Sequence, residues 1–477
     1  MSQEPVIIQG GMGSGVSNWR LARAVSLHGQ LGVVSGTALD QILAWRLQDG
    51  DPKGHMRRAL DAFPNRAMAQ RVLEKYFIEG GKAPGAPYKR VTMPLIDAPV
   101  EVRELTVVAN FVEVWLAKEG HSNPVGINYL DKLQLHHLPA TLGAMLAGVD
   151  YVLMGAGIPL KYPGVLDALA AGQPAAYPLN VTGAQAGDDT LMRIDPRDYF
   201  DGAAGPLKRP RFLAIVASNT LAVTMLKKAN GRVDGLIVEG PTAGGHNAPP
   251  RGALQLSEAG EPMYGERDVV DLGKLAALGV PFWLAGGFGS AEKLREAQAA
   301  GAAGIQVGTA FAYCEESGLD PDARRTILAD VAAGRARVFT DPLASPTGFP
   351  FKVVSLEGSN SETEVYDARP RICDLGYLRE AYRTEDGTIG YRCPAEPVTV
   401  YVSKGGTQEE AEGRKCLCNG LMANIGLPQM RGQYQERPLV TSGDDLTGIT
   451  RFLRPGSLSY SASDVLDALL AGLEQPS

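Results

Sequence analysis

One histidine, His246, stands in a glycine-rich loop directly after a short apolar run. The stretch from Asp234 to Pro250 reads DGLIVEGPTAGGHNAPP. Leu236, Ile237 and Val238 suit a strand covered on both faces. Gly240, Pro241, Gly244 and Gly245 then punctuate a loop with few side chains to hold a ligand off. An imidazole at the mouth of such a strand can act as a general base or hydrogen-bond a substrate. Two further turns, Ala285-Gly286-Gly287-Phe288-Gly289-Ser290 and Gln306-Val307-Gly308-Thr309, follow apolar runs of the same kind. Their backbone N–H groups can converge on an anion such as a phosphate, and Thr309 adds a hydroxyl donor.

These loops need a scaffold that presents strand ends side by side. Eight apolar runs begin near residues 6, 32, 125, 150, 211, 235, 281 and 304, and most lead through glycine into a helical segment. Eight strand–helix repeats predict a (β/α)8 barrel, a TIM barrel, with a doubly wound open sheet as the alternative. From Thr37 to Asn123 the pattern changes to charged helical segments, Gln41 to Gln48, His55 to Ala62 and Ala67 to Ile78. A Gly/Pro linker, Gly80 to Pro87, and an apolar helix, Val102 to Ala117, complete it. Residues 37–124 read as a helical insertion after strand two, a lid or an oligomer contact. The barrel, with this insertion, spans residues 1–340, and 341–477 form a C-terminal extension packed on it. In the extension Val398 to Val402 reads as a strand, Lys415 to Ile425 as a short helix, and Ser463 to Leu473 as a terminal helix.

The composition is that of a globular protein: 477 residues, 44% hydrophobic and 21% charged, with net charge −7. That charge argues against nucleic-acid binding. No leader pattern opens the chain and no run of about 18 apolar residues occurs, so a cytoplasmic protein without membrane association is expected. The five cysteines are odd in number and read as reduced thiols. Cys373, Cys393, Cys416 and Cys418 fall in the C-terminal third, but a C-x-C without a paired C-x-x-C falls short of the zinc pattern, and no metal ligand is assigned. His136-His137 reads as a partly exposed helix start, Asp188-Asp189 and Asp444-Asp445 as solvated loops, and Lys227-Lys228 as an exposed helix face. Trp45, Trp115 and Trp283 read as packing residues.

Three stretches together resemble the nitronate monooxygenase family, the FMN-dependent barrels formerly called 2-nitropropane dioxygenases. They are Ile8-Gln9-Gly10-Gly11-Met12-Gly13, then Glu239 to His246, then Ala285-Gly286-Gly287 with Gly304 to Phe311. The resemblance covers roughly residues 5 to 335. It implies FMN as cofactor and oxidation of alkyl nitronates by O2 to a carbonyl compound and nitrite. It places Gly11, Met12 and Gly13 along the flavin ring and Asn128 near it. Gly244, Gly286, Gly287, Gln306, Val307, Gly308 and Thr309 would hold the ribityl and phosphate portions. His246 would be the catalytic residue, as base or nitro-group partner. The chain has Gly11 where the family often has proline, and Ala248 where a glycine is usual. It has Glu239 where glutamine is common, which puts a carboxyl group against the flavin. Related FMN-dependent enoyl and quinone reductases share the Ala-Gly-Gly-His loop, so NAD(P)H-dependent reduction is the alternative on the same scaffold.

Overall fold

The computed structural model describes residues 4–200 and 206–471. Eight parallel strands, β1 (Ile7–Gln9), β2 (Gly32–Ser35), β3 (Val125–Leu130), β4 (Tyr151–Gly155), β5 (Arg211–Val216), β6 (Gly235–Glu239), β7 (Phe282–Ala285) and β8 (Gly304–Val307), form one sheet. Neighbours in sequence are neighbours in space, and β8 pairs with β1. Ile8 bridges Leu31, with the Gln9 N–H donating to the Leu31 carbonyl at 2.9 Å and the Leu31 N–H to the Ile7 carbonyl at 3.1 Å. The sheet therefore closes, and the expected (β/α)8 barrel is the observed fold.

Strand side chains alternate between two apolar environments. Ile8, Val33, Leu153, Leu213, Ile237 and Trp283 fill the barrel interior as one buried cluster. Ile7, Val34, Val152, Phe212, Leu236 and Phe282 pack outward against the helices. Both faces are buried, which is why the strands read as continuous apolar runs. The Trp283 indole N–H donates to the Pro5 carbonyl at 2.8 Å. Register sets the other end: Glu239 lies opposite Ala285, and Ala285 opposite Gln306. Three candidate residues on adjacent strands thus reach one level at the carboxyl ends.

The segment after β2 folds into helices Leu39–Gln48, His55–Ala62, Arg66–Tyr76 and Val100–Lys118. The last packs against helices Trp19–Leu27 and His137–Leu146 and so lies in the barrel's own ring. The approach is close: a Cβ on Gly143 would fall 2.0 Å from the Val107 carbonyl oxygen. His136 and His137 are buried here, unlike the expected partly exposed helix start. His137 Nε2 bonds the Leu130 carbonyl at 3.0 Å, and its neighbours Tyr162 and Tyr177 are aromatic.

Beyond the barrel strands, β9 (Val338–Asp341) pairs antiparallel with β10 (Phe351–Val354). Val398–Ser403 is a helix and not the expected strand. Its β-branched residues follow Pro397, whose ring suits the entry to a helix, and only Tyr401 is buried. Leu417–Ala423 is helical, with Cys416 at its start. The terminal helix, Ala462–Leu470, opens with a reciprocal Ser461–Asp464 capping box. Its expected end, Leu473, lies outside the described residues. This helix packs against Trp19–Leu27 and Ala291–Ala299, so residues far beyond 340 complete the helical ring. Inside the extension, Arg369 and Glu436 form a fully buried bidentate pair at 2.7 and 2.9 Å, joined by Arg431 at 2.7 Å. Asp188 and Asp189 pair with Arg383 and Arg193. No helix among the described residues is long and apolar enough to cross a membrane.

Candidate active site

A cavity of about 240 Å³ opens at the carboxyl ends of the strands. Every residue singled out from the sequence lines it. Gly11, Met12 and Gly13 follow β1, Asn128 lies on β3, and Glu239, Gly244 and His246 follow or end β6. Gly286 and Gly287 follow β7, and Gln306, Val307, Gly308 and Thr309 end β8 or follow it. Gly286 and Gly287 both adopt left-handed backbone, φ +87° and +76°, which side-chain-bearing residues rarely tolerate. Gln306 Oε1 is buried with no hydrogen-bond partner among the described residues.

The extension supplies the opposite wall. Tyr377, Leu378, Leu417, Cys418 and Thr441 to Gly443 all face the cavity. The Gly443 N–H donates to Thr309 Oγ1 at 3.1 Å, and the Gly245 N–H to Thr441 Oγ1 at 2.9 Å. Each hydroxyl oxygen accepts an amide and keeps its own proton to give. Gly244 packs so tightly on this wall that a Cβ would fall 2.7 Å from the Gly443 nitrogen. No lysine or arginine lines the cavity among the described residues. An anion there would be held by backbone N–H groups and hydroxyls. Asp444 is exposed, as expected, and Asp445 half-buried, and both are ion-paired. Asp444 bonds the buried Lys352 at 2.7 Å, and Asp445 pairs with Arg451, which also donates to the Gly289 carbonyl at 3.1 Å.

His246 is fixed from the extension. Its Nε2 lies 2.7 Å from Ser345 Oγ, and its ring meets Phe351 edge-on with centroids 4.9 Å apart. Backbone bonds hold the loop to β10 on both sides: Asn247 N–H to the Pro350 carbonyl at 2.9 Å, and Lys352 N–H to the Gly245 carbonyl at 3.0 Å. Ser345 Oγ also accepts the Thr347 N–H at 3.2 Å and lies 2.8 Å from Thr347 Oγ1, a small hydrogen-bonded cluster that ends on Nε2. Nδ1 has no partner among the described residues. Burial, helped by nearby Lys132, depresses the imidazole to about 3, so the ring is neutral at physiological pH.

Glu239 behaves in the opposite sense. Burial alone raises its carboxyl group to about 7, and it makes no hydrogen bond among the described residues. Lys132 is a third unusual group: its ammonium lies over the Phe349 ring and has no hydrogen-bond partner among the described residues, and burial lowers it to about 7. A second cavity, of about 230 Å³, adjoins the first and shares Ala156, Ile215, Glu239 and His246 with it. Glu239 and His246 therefore stand between two spaces. Ser345, Thr441 and Lys132 escape sequence reading, since a lone serine, threonine or lysine in irregular chain carries no periodic signal.

Fold and site define a (β/α)8 barrel with a ligand cavity at the carboxyl ends of its strands. Residues 207–336, which carry β5 to β8, match the model of the nitronate monooxygenase family. The probable nitronate monooxygenase of Bacillus subtilis (strain 168) is 32% identical over 128 residues, 27% of this chain and 35% of that protein. The chain thus spans about a third of the length of the curated relative it matches. FabK from Thermotoga maritima superposes with TM-score 0.45 at 16% identity, over 98% of this chain and 93% of that one. Nitroalkane oxidase from Streptomyces ansochromogenes gives 0.43 at 16%, over 98% and 95%. Structural likenesses this loose carry no argument about the site.

Proposed function

We propose that the protein is an FMN-dependent oxidoreductase that converts alkyl nitronates and O2 to carbonyl compounds and nitrite. The observation that carries this is the position of His246 and Glu239 between two adjoining cavities, one walled by glycine loops and the other open beside them. The residues of the first cavity fit FMN. The turns at Gly286-Gly287 and Gly308-Thr309, with the Thr309 and Thr441 hydroxyls, suit its phosphate. Gln306 offers an orphaned acceptor to the polyol or ring, and Met12 with its flanking glycines suits the flat ring. Bound FMN supplies the electron-accepting centre.

The chain's own groups then select the substrate. A histidine that titrates near 3 is a weak base at neutral pH, so His246 is suited to a substrate that arrives deprotonated. A nitronate is such a substrate and a nitroalkane is not. The neutral imidazole donates from Nδ1 to a nitro oxygen, held in that tautomer by Ser345. Glu239 keeps its proton up to about pH 7 and so adds no negative charge against an anionic substrate. The partners in this reading are small molecules, the nitronate and O2.

A second reading, NAD(P)H-dependent reduction of a conjugated carbonyl compound or quinone, is favoured by the size of the second cavity. At about 230 Å³ it is nearly as large as the first, and a small nitronate leaves most of it empty. Nitrite release from propionate 3-nitronate in air, measured beside NADH and NADPH oxidation with and without an enone, separates the two. Nitrite without nucleotide consumption supports the first reading. Enone-dependent nucleotide oxidation without nitrite replaces it with the second.

A further inference from the structure

Two lysines put a buried ammonium near the mouth of the barrel, and they are satisfied very differently. Lys352 reaches Asp444 Oδ1 and Thr340 Oγ1, each at 2.7 Å. Half-buried lysines elsewhere are matched too: Lys118 with Asp150, Lys404 with Glu396, and Lys415 with the Asn360 carbonyl. Lys132 is the exception. Its nitrogen is buried and has no hydrogen-bond partner among the described residues. The carboxylate next to it in sequence, Asp131, is turned to the Tyr177 hydroxyl, which donates to it at 2.6 Å.

The position of Lys132 ties it to the site. It belongs to the loop after β3, between Leu130 and Leu133, which line the first cavity. Its ammonium lies 3.0 Å from the centroid of the Phe349 ring, and Phe349 lines the second cavity. The segment from Phe349 to Phe351 is bound to the histidine loop: the Asn247 N–H donates to the Pro350 carbonyl at 2.9 Å, and the His246 ring packs edge-on against Phe351. Lys132 and His246 thus flank one short piece of the extension. Neither carboxyl group on the second cavity's wall cancels the lysine's charge. Glu239 holds its proton to about pH 7, and Asp268 accepts the Arg251 and Gly265 backbone N–H groups, each at 2.9 Å.

A buried ammonium without a counter-charge is costly, and the face of an aromatic ring offsets only part of that cost. We propose that Lys132 selects the charge of the substrate: its ammonium binds the two-oxygen anionic head of a nitronate or carboxylate in the second cavity, beside His246. The inference takes the identity of the substrate from the nitronate reading and adds the group that recognises its charge. The flexible four-carbon stem lets the ammonium leave the ring face for a ligand oxygen. His246 then gives an N–H to the head, Lys132 gives the charge, and protonated Glu239 adds no repulsion. A neutral nitroalkane of the same shape leaves the ammonium uncompensated, so the site discriminates by charge.

The test titrates the full chain by calorimetry, before and after incubation with FMN, with propionate and with propionamide, two ligands of one shape that differ in charge. Wild type should bind propionate about tenfold tighter or more at pH 7. Lys132→Met should weaken propionate by about that factor and leave propionamide unchanged, and Lys132→Arg should restore most of the preference. With ethyl nitronate, Lys132→Met should raise KM more than it lowers kcat. A wild type that binds propionate no better than propionamide overturns the proposal without any variant having to fold. Equal weakening of both ligands in Lys132→Met leaves Lys132 a packing residue on Phe349 and overturns it as well. A charge preference that Lys132→Met abolishes, in a protein that releases no nitrite from ethyl nitronate, upholds the anion site and removes the nitronate reading.

Discussion

Ser345 Oγ lies 2.7 Å from His246 Nε2, across 99 residues of chain. A serine of the extension therefore orients the histidine of the barrel, and the two parts of the chain make one site. Ser345→Ala should leave flavin content unchanged and lower turnover about tenfold, the worth of one hydrogen bond that holds a tautomer. Steady-state kinetics beside a flavin absorbance ratio checks this. His246→Asn should lower turnover further while keeping the flavin, and unchanged turnover would remove His246 from the chemistry.

Glu239 gives a pH signature. Its carboxyl group holds a proton to about pH 7, so activity that depends on the neutral form should fall as pH rises through that value. Glu239→Gln cannot ionise, and its rate profile should stay flat there. An unchanged profile in the variant would assign the fall to another group, and Lys132, also near 7, is the next to test.

Acid stability carries the opposite sign for the histidine. The folded value of His246, about 3, lies below the ordinary 6.5, so the unfolded chain binds the extra proton between those limits. Its contribution to stability is complete above pH 6.5 and is lost as pH falls toward 3. His137, at about 4, adds to the same slope. His246→Asn should flatten part of this slope, as measured by urea unfolding at a series of pH values. A slope identical to wild type contradicts the depressed imidazole.

How much of this is legible without coordinates differs between the two halves of the site. The glycine turns at Gly286-Gly287 and Gly308 sit after apolar runs, and a repeated run–glycine–helix pattern points to strand ends. The opposite wall has no such period. Tyr377, Leu378, Leu417, Cys418 and Thr441 to Gly443 come from irregular chain, and hydrogen bonds such as Gly443 to Thr309 bring them in. Val398–Ser403 misleads for a local reason: its β-branched alternation suggests a strand, but Pro397 starts a helix and no neighbouring strand accepts it. His136 and His137 look polar in sequence, yet tertiary packing buries both.

Gly286 tests the phosphate turn. An alanine forced to φ +87° costs about 1–2 kcal/mol, and it displaces the N–H groups meant for the anion. Gly286→Ala should weaken FMN binding about tenfold or more by fluorescence titration, with a small loss of thermal stability. Unchanged affinity would move the phosphate elsewhere.

The buried Arg369–Glu436 pair tests whether the extension is integral to the fold. Glu436→Gln leaves the buried Arg369 guanidinium without a carboxylate, while Arg431 keeps Asp374 at 2.8 Å. It should cost about 3–5 kcal/mol in chemical denaturation. A change below about 1 kcal/mol would mean that the cluster opens to water.

The central claim is that the barrel cavity holds FMN. The most direct measurement is the flavin content of the purified chain, by visible spectrum and mass of the released cofactor, before and after incubation with FMN. One tightly held FMN per chain is the predicted result. No bound flavin after FMN has been added would contradict the account.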